Sequence, residues 1–336
     1  MRNRCALIRT FDSTVTGKGG LPLPQRNWRD GRGWSTFERL LLEVLWDRGY
    51  SVFVQPATPL RPDFDGEFTL RIKSHGNAVD HPDAHLHYMQ MHFTELFSID
   101  PRGWGADHSR VGAFDPDAAV AEDASAQLAH LEAHVASGGT KHRQRRRLAL
   151  RSLRLPEQFV FCPLQTPRDY VIRQHADHSV VEFMRAAAAL CTRAGEAIVF
   201  KVHPYARYDR AINLCLAELL LTHRNVFASS GDVTELVRGA RGVITINSGV
   251  GMESIVAGRP VLAFGRNDYT DACFRIHDDV EAFFEQLRAP QSELAARTRA
   301  YLLWYLSEVG ILVAPGFEDG ARSRLDTIVA THESSS

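Results

Sequence analysis

The stretch GVITINSGVGMESIVAGRPVLAF, residues 242–264, decides the fold class of this chain. Its first part, Gly242–Ile246, has the length and β-branched content of a buried strand. A turn of small residues follows, and Val250–Ala257 then has the pattern of a helix. A Gly-Arg-Pro turn leads into a second apolar strand, Val261–Phe264. Because a helix between two strands is the usual crossover between parallel partners, the stretch predicts a βαβ unit.

The same alternation extends backwards through the second half of the chain. Further strands are predicted at Gln158–Leu164, Ala197–Val202 and Val226–Ala228, and helices at 179–193, 208–222 and 232–238. The first of these helices opens on a capping box, Ser179-Val-Val-Glu182. Strands and helices that alternate at this spacing predict an α/β fold with a parallel sheet covered on both faces.

The first half has longer polar and glycine-rich connections. Its predicted elements are strands at 5–8, 51–55, 69–73 and 87–92 and helices at 35–48 and 118–150, the last interrupted at 137–139. We predict an N-terminal lobe over 1–150 and a C-terminal lobe over 151–310, which ends in a helix at 290–308. The segment 311–336 is expected to pack back on the N-terminal lobe and to fray at its tail.

Composition excludes several classes of protein. The 336 residues are 44% hydrophobic and 24% charged with a net charge of −1, which excludes a disordered or fibrous chain and gives no sign of nucleic-acid binding. Five scattered cysteines predict reduced thiols, and the N-terminus lacks the pattern of a signal peptide, so we expect a cytoplasmic protein. The basic run 141–147 has the pattern of a solvated interdomain helix face, with docking on anionic lipid of the inner membrane or on a charged glycan as the alternative. Four histidines between 81 and 92 do not have the spacing of a zinc site.

Three strand ends carry polar residues that suit anion chemistry. The turn Ile246–Glu253 brings backbone N–H groups and the Ser248 hydroxyl to a helix N-terminus, which favours phosphate. His203 follows the strand at 197–202, and Asp169 follows the strand at 158–164 as a candidate nucleophile or base. Each of these three features also has a purely structural explanation. The turn could need glycine only for its geometry, His203 could be a surface residue before a proline, and Asp169 could cap a turn. Because the carboxyl ends of parallel strands share one edge, a common site is expected.

The ordered motifs resemble one family. They are PLQ-x3-D at 163–169, K-x-HP at 201–204, NSGVGMES-x3-G-x-PV at 247–261 and, upstream, DPRGWG at 100–105. Together they resemble the capsule polysaccharide biosynthesis/export family, which includes bacterial β-Kdo transferases and related GT-B glycosyltransferases. The resemblance implies two Rossmann-like lobes with parallel sheets that face a central cleft, with donor nucleotide on the C-terminal lobe and acceptor on the N-terminal lobe.

The resemblance also implies an activity: transfer of Kdo from CMP-β-Kdo, with retention, to a surface-polysaccharide, lipopolysaccharide or lipid-linked acceptor. Asp169 and His203 would be catalytic, and no metal or other cofactor is expected. The residues that would bind the nucleotide sugar are Gln165, Lys201, His203, Asn247, Ser248, Gly249 and Glu253. Glu95 and Asp100 are the acceptor-side candidates. The chain departs from many relatives at Gly249, where they carry Ser or Thr.

Two alternatives to Kdo transfer stay open at the level of sequence. One is a GT-B transferase that uses another CMP-sugar, a UDP-sugar or a GDP-sugar. The other is a non-catalytic partner of a capsule export complex that binds glycan or sugar nucleotide. Replacement of Asp169 distinguishes a catalyst from a binding partner, because only a catalyst requires that carboxylate.

Overall fold

A computed structural model of the chain describes residues 4–10, 33–56, 68–139, 155–289 and 292–335. These residues form two compact units. Unit 1 comprises the described residues up to Arg110, Ala119–Gln127 and those from Trp304 onward, and unit 2 comprises Val111–Ala118 and Leu128–Leu303. The sequence predicts lobe limits at residues 150 and 310, and neither coincides with a boundary between the two units. The helices α2 (Ala124–Ala136) and α9 (Ser292–Glu308) each contribute residues to both units, and no local sequence signal marks a changeover inside a helix.

The sheet of unit 1 has six strands. They are β1 (Cys5–Thr10), β2 (Ser51–Pro56), β3 (Leu70–Ser74), β4 (Leu86–Gln90), β5 (Leu96–Asp100) and β12 (Ile311–Leu312). Their order is β12-β5-β4-β3-β1-β2. The pairs among β2, β1, β3 and β4 are parallel, and β5 pairs antiparallel with both β4 and β12.

One face of this sheet packs on α1 (Gly33–Asp47) and α10 (Glu318–Ser335). Phe37 of α1 is fully buried and stacks on Phe97 of β5, with ring centroids 4.5 Å apart. Leu325 and Val329 of α10 are buried in the same cluster. Removal of these apolar side chains from water is the main stabilising contribution to unit 1.

The C-terminal helix ends in a set of ion pairs. Arg48 donates to Asp326 at 2.6 Å and to Glu333 at 2.9 Å, and Arg4 donates to Glu333 at 2.9 Å. The tail that the sequence predicts to fray is helical through Ser335. Glu333 explains the difference, because its two carboxylate oxygens accept hydrogen bonds from arginines far away in sequence.

Unit 2 contains the second sheet. Its strands are β6 (Val160–Pro163), β7 (Ile198–Lys201), β8 (Val226–Ala228), β9 (Gly242–Thr245), β10 (Val261–Ala263) and β11 (Phe274–Arg275). Its helices besides α2 and α9 are α3 (Tyr170–His175), α4 (Val180–Ala194), α5 (Arg210–Thr222), α6 (Val233–Gly239), α7 (Gly249–Val256) and α8 (Val280–Gln286). All pairs in the order β11-β10-β9-β6-β7-β8 are parallel.

The strands β6, β7 and β9 are buried along their whole length, as expected for a parallel sheet with helices on both faces. The predicted capping box of α4 is present: Ser179 accepts from the Glu182 backbone N–H, and the Glu182 carboxylate accepts from that of Ser179. The predicted α/β class, with two mostly parallel sheets, is therefore confirmed.

Candidate functional site

The strand order of unit 2 reverses between β6 and β9. From β6 the chain adds β7 and β8 on one side and then returns to place β9, β10 and β11 on the other. In open parallel sheets, ligands bind beyond the carboxyl ends of the strands at such a reversal, because the connecting loops diverge there and leave a crevice. We call the loops after β6 (164–169) and β9 (246–248) the switch-point loops.

A reciprocal pair of hydrogen bonds joins the switch-point loops. The Gln165 side-chain amide donates to Asn247 Oδ1 at 2.9 Å, and the Asn247 backbone N–H donates to Gln165 Oε1 at 3.1 Å. Both side chains are buried, so the amides satisfy each other where water is excluded. The structure thus brings together two residues that the sequence places at separate strand ends.

Asn247 also fixes the start of α3. Its Nδ2 donates to the Val171 carbonyl at 2.9 Å. Two residues earlier, Asp169 is the N-cap of α3, and its exposed carboxylate accepts from the Val171 N–H at 3.4 Å. The carboxylate predicted to be the nucleophile is therefore open to solvent and lies two residues before a carbonyl that Asn247 binds.

Ser248 is the N-cap of α7. Its Oγ accepts from the Val250 N–H at 3.2 Å, which leaves the hydroxyl proton available as a donor. Gly249 is the first residue of the helix, so the positive end of the helix dipole lies at the carboxyl edge of β9. Glu253, predicted to bind a ribose, lies one turn further along and is only 8% exposed.

A tyrosine that sequence reasoning missed supports this turn. Tyr269 is fully buried, and its hydroxyl donates to the Ser248 carbonyl at 2.7 Å. A Cβ at Gly251 would lie 2.4 Å from that hydroxyl oxygen, so only glycine allows the ring to approach the helix. Tyr269 lies 21 residues after Ser248, and no local pattern singles it out.

We expect Gly251→Ala to destabilise unit 2 by about 1–3 kcal/mol, because an added methyl in a packed site forces the ring or the helix to shift. Urea denaturation measures this change. Tyr269→Leu removes the ring that the new methyl would meet, so the double variant should be more stable than the sum of the two single changes predicts. Simple additivity of the two changes would contradict the contact.

Lys201 and His203 lie at the end of β7, and the two side chains have different environments. Lys201 is buried, and its Nζ donates to the Gly231 carbonyl at 2.6 Å. Burial lowers the pKa of the Lys201 ammonium, and the nearby Asp232 carboxylate offsets only part of this lowering. This geometry gives Lys201 a contact with the loop after β8.

His203 is half-buried, and its Nδ1 accepts from the Tyr205 N–H at 3.2 Å. A ring nitrogen that accepts carries no proton, so the neutral ring has its proton on Nε2. The histidine is thereby oriented as a hydrogen-bond donor. Tyr205 beside it is 81% exposed, with its ring centroid 5.3 Å from that of His203.

Together the edge of unit 2 offers groups that suit a phosphate: a helix N-terminus, a hydroxyl and an imidazole N–H. A solvent-exposed carboxylate stands on the loop after the neighbouring strand. The helix N-terminus, the hydroxyl and the imidazole could stabilise the charge on a leaving phosphate. The carboxylate could attack the carbon to which that phosphate is bonded.

The acceptor-side candidates belong to unit 1. Asp100 is buried at the end of β5, where its carboxylate accepts from the Arg102 N–H at 2.8 Å and from the Ser109 N–H at 3.1 Å, and also from the Ser109 hydroxyl. It therefore organises the loop at 101–109. Glu95 is half-buried just before β5, and its backbone carbonyl accepts from the Val313 N–H.

Three further expectations concern the basic run, membranes and metals. The basic run 141–147 lies outside the described residues. Among the helices that the structure describes, none combines the length and the apolar character needed to cross a bilayer. Within the same residues, no three His, Cys, Asp or Glu side chains are grouped closely enough to hold a metal ion, and this includes the histidines between 81 and 92.

Comparison with known proteins gives a family match and two partial relatives. The model of the family described as capsule polysaccharide biosynthesis protein matches residues 119–308. Protein FixF from Sinorhizobium fredii (strain NBRC 101917 / NGR234) is 31% identical over 125 residues, which are 36% of this chain and 28% of that protein. Capsule polysaccharide export protein KpsS from Escherichia coli is 25% identical over 158 residues, 44% of this chain and 40% of that protein. The matches thus span less than half the length of these curated relatives.

Two solved structures share the fold. KpsC beta Kdo 2,7 transferase from Thermosulfurimonas dismutans has a TM-score of 0.52 at 13% identity and covers 97% of this chain and 100% of that one. KpsC beta Kdo 2,4 transferase from the same organism has a TM-score of 0.52 at 14% identity and covers 85% of this chain and 93% of that one. At these identities the likeness shows the architecture alone.

Proposed function

The chain belongs to the capsule polysaccharide biosynthesis protein family, and on this premise we propose that it is a glycosyltransferase that moves a sugar from a nucleotide-sugar donor to a glycan or glycolipid acceptor. The observation that carries the proposal is the amide pair of Gln165 and Asn247. The pair joins the loop that carries Asp169 to the loop before α7, at the carboxyl edge of the sheet, where parallel sheets generally bind ligands and helix N-termini favour phosphate.

The proposed donor is CMP-β-Kdo. The fold shared with two structures described as beta Kdo transferases and the ordered motifs of unit 2 support this choice over a UDP- or GDP-sugar. In the proposed arrangement the phosphate lies at the N-terminus of α7, where Ser248 and the Gly249 backbone face it. The His203 Nε2–H donates to the same phosphate, and no metal is required to balance the charge.

The proposed reaction retains configuration through two displacements. The Asp169 carboxylate attacks the anomeric carbon, and the bond from that carbon to the phosphate oxygen breaks with its electron pair on CMP. His203 and the helix N-terminus stabilise the negative charge on the departing phosphate. An acceptor hydroxyl then attacks the same carbon, the bond from that carbon to the Asp169 oxygen breaks with its electron pair on the carboxylate, and the hydroxyl proton passes to a solvent water. We propose that this takes place on the cytoplasmic side, on a surface-polysaccharide, lipopolysaccharide or lipid-linked acceptor.

CMP should raise the melting temperature of the protein. A ligand that binds only the folded state stabilises it by about 2.7 kcal/mol at a hundred times its Kd, which is a shift of about 5–10 °C for a domain of this size. Differential scanning fluorimetry with CMP, UDP and GDP at equal concentration measures the effect, and EDTA should leave it unchanged.

The same panel distinguishes the alternatives. A larger shift with UDP or GDP would remove CMP-Kdo as donor and keep a glycosyltransferase. No shift with any nucleotide would contradict donor binding by unit 2 and favour a partner that binds glycan without catalysis.

A further inference from the structure

The helix α5 carries apolar side chains on its outer side as well as on its inner side. Ile212, Cys215 and Leu219 are buried in the core of unit 2. Leu214 and Leu221 lie on the opposite side of the helix and are 60% and 88% exposed. A helix at the surface of a globular protein normally has polar residues on the side that faces away from the core. Packing within the described part of unit 2 therefore does not account for the two outer leucines.

Two tyrosines just before α5 are exposed to a similar extent. Tyr205 and Tyr208 lie in and after the turn at 204–206 and are 81% and 82% exposed. Asn213, the neighbour of Leu214, donates from Nδ2 to the Arg207 carbonyl at 3.0 Å, which holds this turn against the first turns of the helix. We call Tyr205, Tyr208, Leu214 and Leu221 the outer surface of α5.

The outer surface of α5 concentrates the exposed apolar groups of the protein. Of the nine large apolar side chains that are exposed among the described residues, five lie between positions 205 and 221. Single exposed apolar residues are ordinary on a protein surface, whereas a cluster of them marks a place where another molecule binds. The outer surface of α5 therefore calls for a partner.

Three arginines give this surface a positive rim. Arg207, Arg210 and Arg224 are exposed, and within the described ranges none of them forms an ion pair with a carboxylate. Arg210 lies four residues before Leu214 and thus on the same side of the helix. The Arg207 guanidinium lies over the Tyr208 ring, 4.6 Å from its centroid. Apolar and cationic groups therefore alternate across one surface.

The carboxylates of α4 and α5 do not neutralise these arginines. Glu218 pairs with Arg185 of α4 at 2.8 Å. Asp209 caps the N-terminus of α5, and Glu182 belongs to the capping box of α4. Their oxygens accept hydrogen bonds from backbone N–H groups at the helix starts. The three rim arginines are therefore available to a negatively charged partner.

We propose that the outer surface of α5 docks on an anionic lipid surface. A helix that lies in the plane of a membrane inserts its leucines at the boundary of the acyl chains, and its arginines attract anionic headgroups. Tyrosine rings concentrate at the same depth as the headgroups. The outer surface of α5 combines all three kinds of side chain, and its positive rim complements lipid phosphate.

A second copy of this chain is a poorer match for the same surface. A two-fold symmetrical contact brings identical patches together, so each arginine of the rim would face a surface with the same excess of positive charge. The lipid surface has the opposite charge. The inference does not depend on glycosyl transfer, but docking would place His203, two residues before Tyr205, close to the membrane.

The test is flotation of the full-length protein with vesicles, without any nucleotide. Vesicles that contain phosphatidylglycerol and phosphatidylcholine in equal parts should carry the protein upward, and vesicles of phosphatidylcholine alone should not. A high salt concentration should weaken the binding, because salt screens the attraction between the arginines and the headgroups.

The double variant Leu214→Gln/Leu221→Gln should lower the partition coefficient about tenfold or more, because two apolar side chains no longer enter the bilayer. Both positions are exposed and Gln is a good helix former, so the fold should be kept. Val79→Gln is the matched control, since it removes a large apolar side chain that is 88% exposed in unit 1. It should bind as the wild type does.

A second pair of variants tests the charge. Arg210→Gln should weaken binding about fivefold, the effect of one basic residue near an anionic surface. Arg275→Gln, on β11 at the other edge of the same sheet, removes the same charge and should have no effect. Equal losses for these two variants would mean that net charge alone drives binding, which would overturn the proposal.

Three further results would overturn it. The first is that the wild type binds neither kind of vesicle. The second is that the double leucine variant binds as tightly as the wild type, which would assign the binding to another part of the chain, such as the basic run 141–147. The third is a dimer in light scattering that the leucine changes dissociate, which would make this surface an interface between copies. Each of these outcomes leaves the CMP result untouched.

Discussion

Asp169→Asn should abolish glycosyl transfer, by about a thousandfold or more, while CMP affinity is largely kept. The reason lies in the position of the residue as N-cap of α3, where Asn caps as well as Asp does. The substitution therefore removes the ionised nucleophile and leaves the local fold in place. The measurements are initial rates with CMP-Kdo and an acceptor, and the CMP-induced shift in melting temperature.

Asp209→Asn is the matched control, since Asp209 caps α5 through the Ile212 N–H in the same way. It should retain full activity. Intact-mass spectrometry of the wild type with CMP-Kdo and no acceptor should detect a sugar adduct that Asp169→Asn lacks. Near wild-type transfer by Asp169→Asn would make the nucleophile assignment wrong, and loss of nucleotide binding would assign Asp169 to donor positioning.

His203→Asn is expected to weaken transfer about 10- to 150-fold. The imidazole Nε2–H is lost, and a charge-assisted hydrogen bond to phosphate is worth about 1.5–3 kcal/mol. Asparagine offers an oxygen to the Tyr205 N–H in place of Nδ1, so the turn at 203–206 keeps its cap. Rates and CMP affinity should fall together, because the bond is made to the donor phosphate.

The control for this variant is His223→Asn, at the other end of α5 and far from the carboxyl edge of the sheet. It should behave as the wild type. Equal rates for His203→Asn and wild type would make His203 a turn residue, and unit 2 would then depend on α7 alone for phosphate binding.

The architecture of unit 2 was predictable because its strands are short, mostly apolar and separated by helices with clear start signals. The capping box at Ser179 is local, and the structure shows both of its bonds. Some elements that the sequence missed, such as β12, depend on distant partners. The two-residue strand β12 exists through its pairing with Leu96 and Phe97, more than 200 residues away in the chain.

The candidate site was predictable as a set of strand ends and unpredictable as a set of contacts. The rule that parallel strands present their carboxyl ends on one edge predicts that the segments of Gln165, His203 and Ser248 line one cleft. The bonds between Gln165 and Asn247 join residues 82 positions apart, and the bond from Lys201 reaches a backbone carbonyl that any residue could supply. Such contacts are set by loop paths, which sequence periodicity does not encode.

The amide pair at the switch point has a consequence for how relatives of this chain diverge. A change at position 165 alone leaves two buried groups of Asn247 without their partner, the backbone N–H and the side-chain Oδ1. A change at position 247 alone leaves the Gln165 side-chain N–H and the Val171 carbonyl without theirs. A substitution at one of the two positions during evolution is therefore expected to be accompanied by a compensating substitution at the other. In an alignment of homologues, the positions equivalent to Gln165 and Asn247 should covary as a unit, although the segments around them evolve separately.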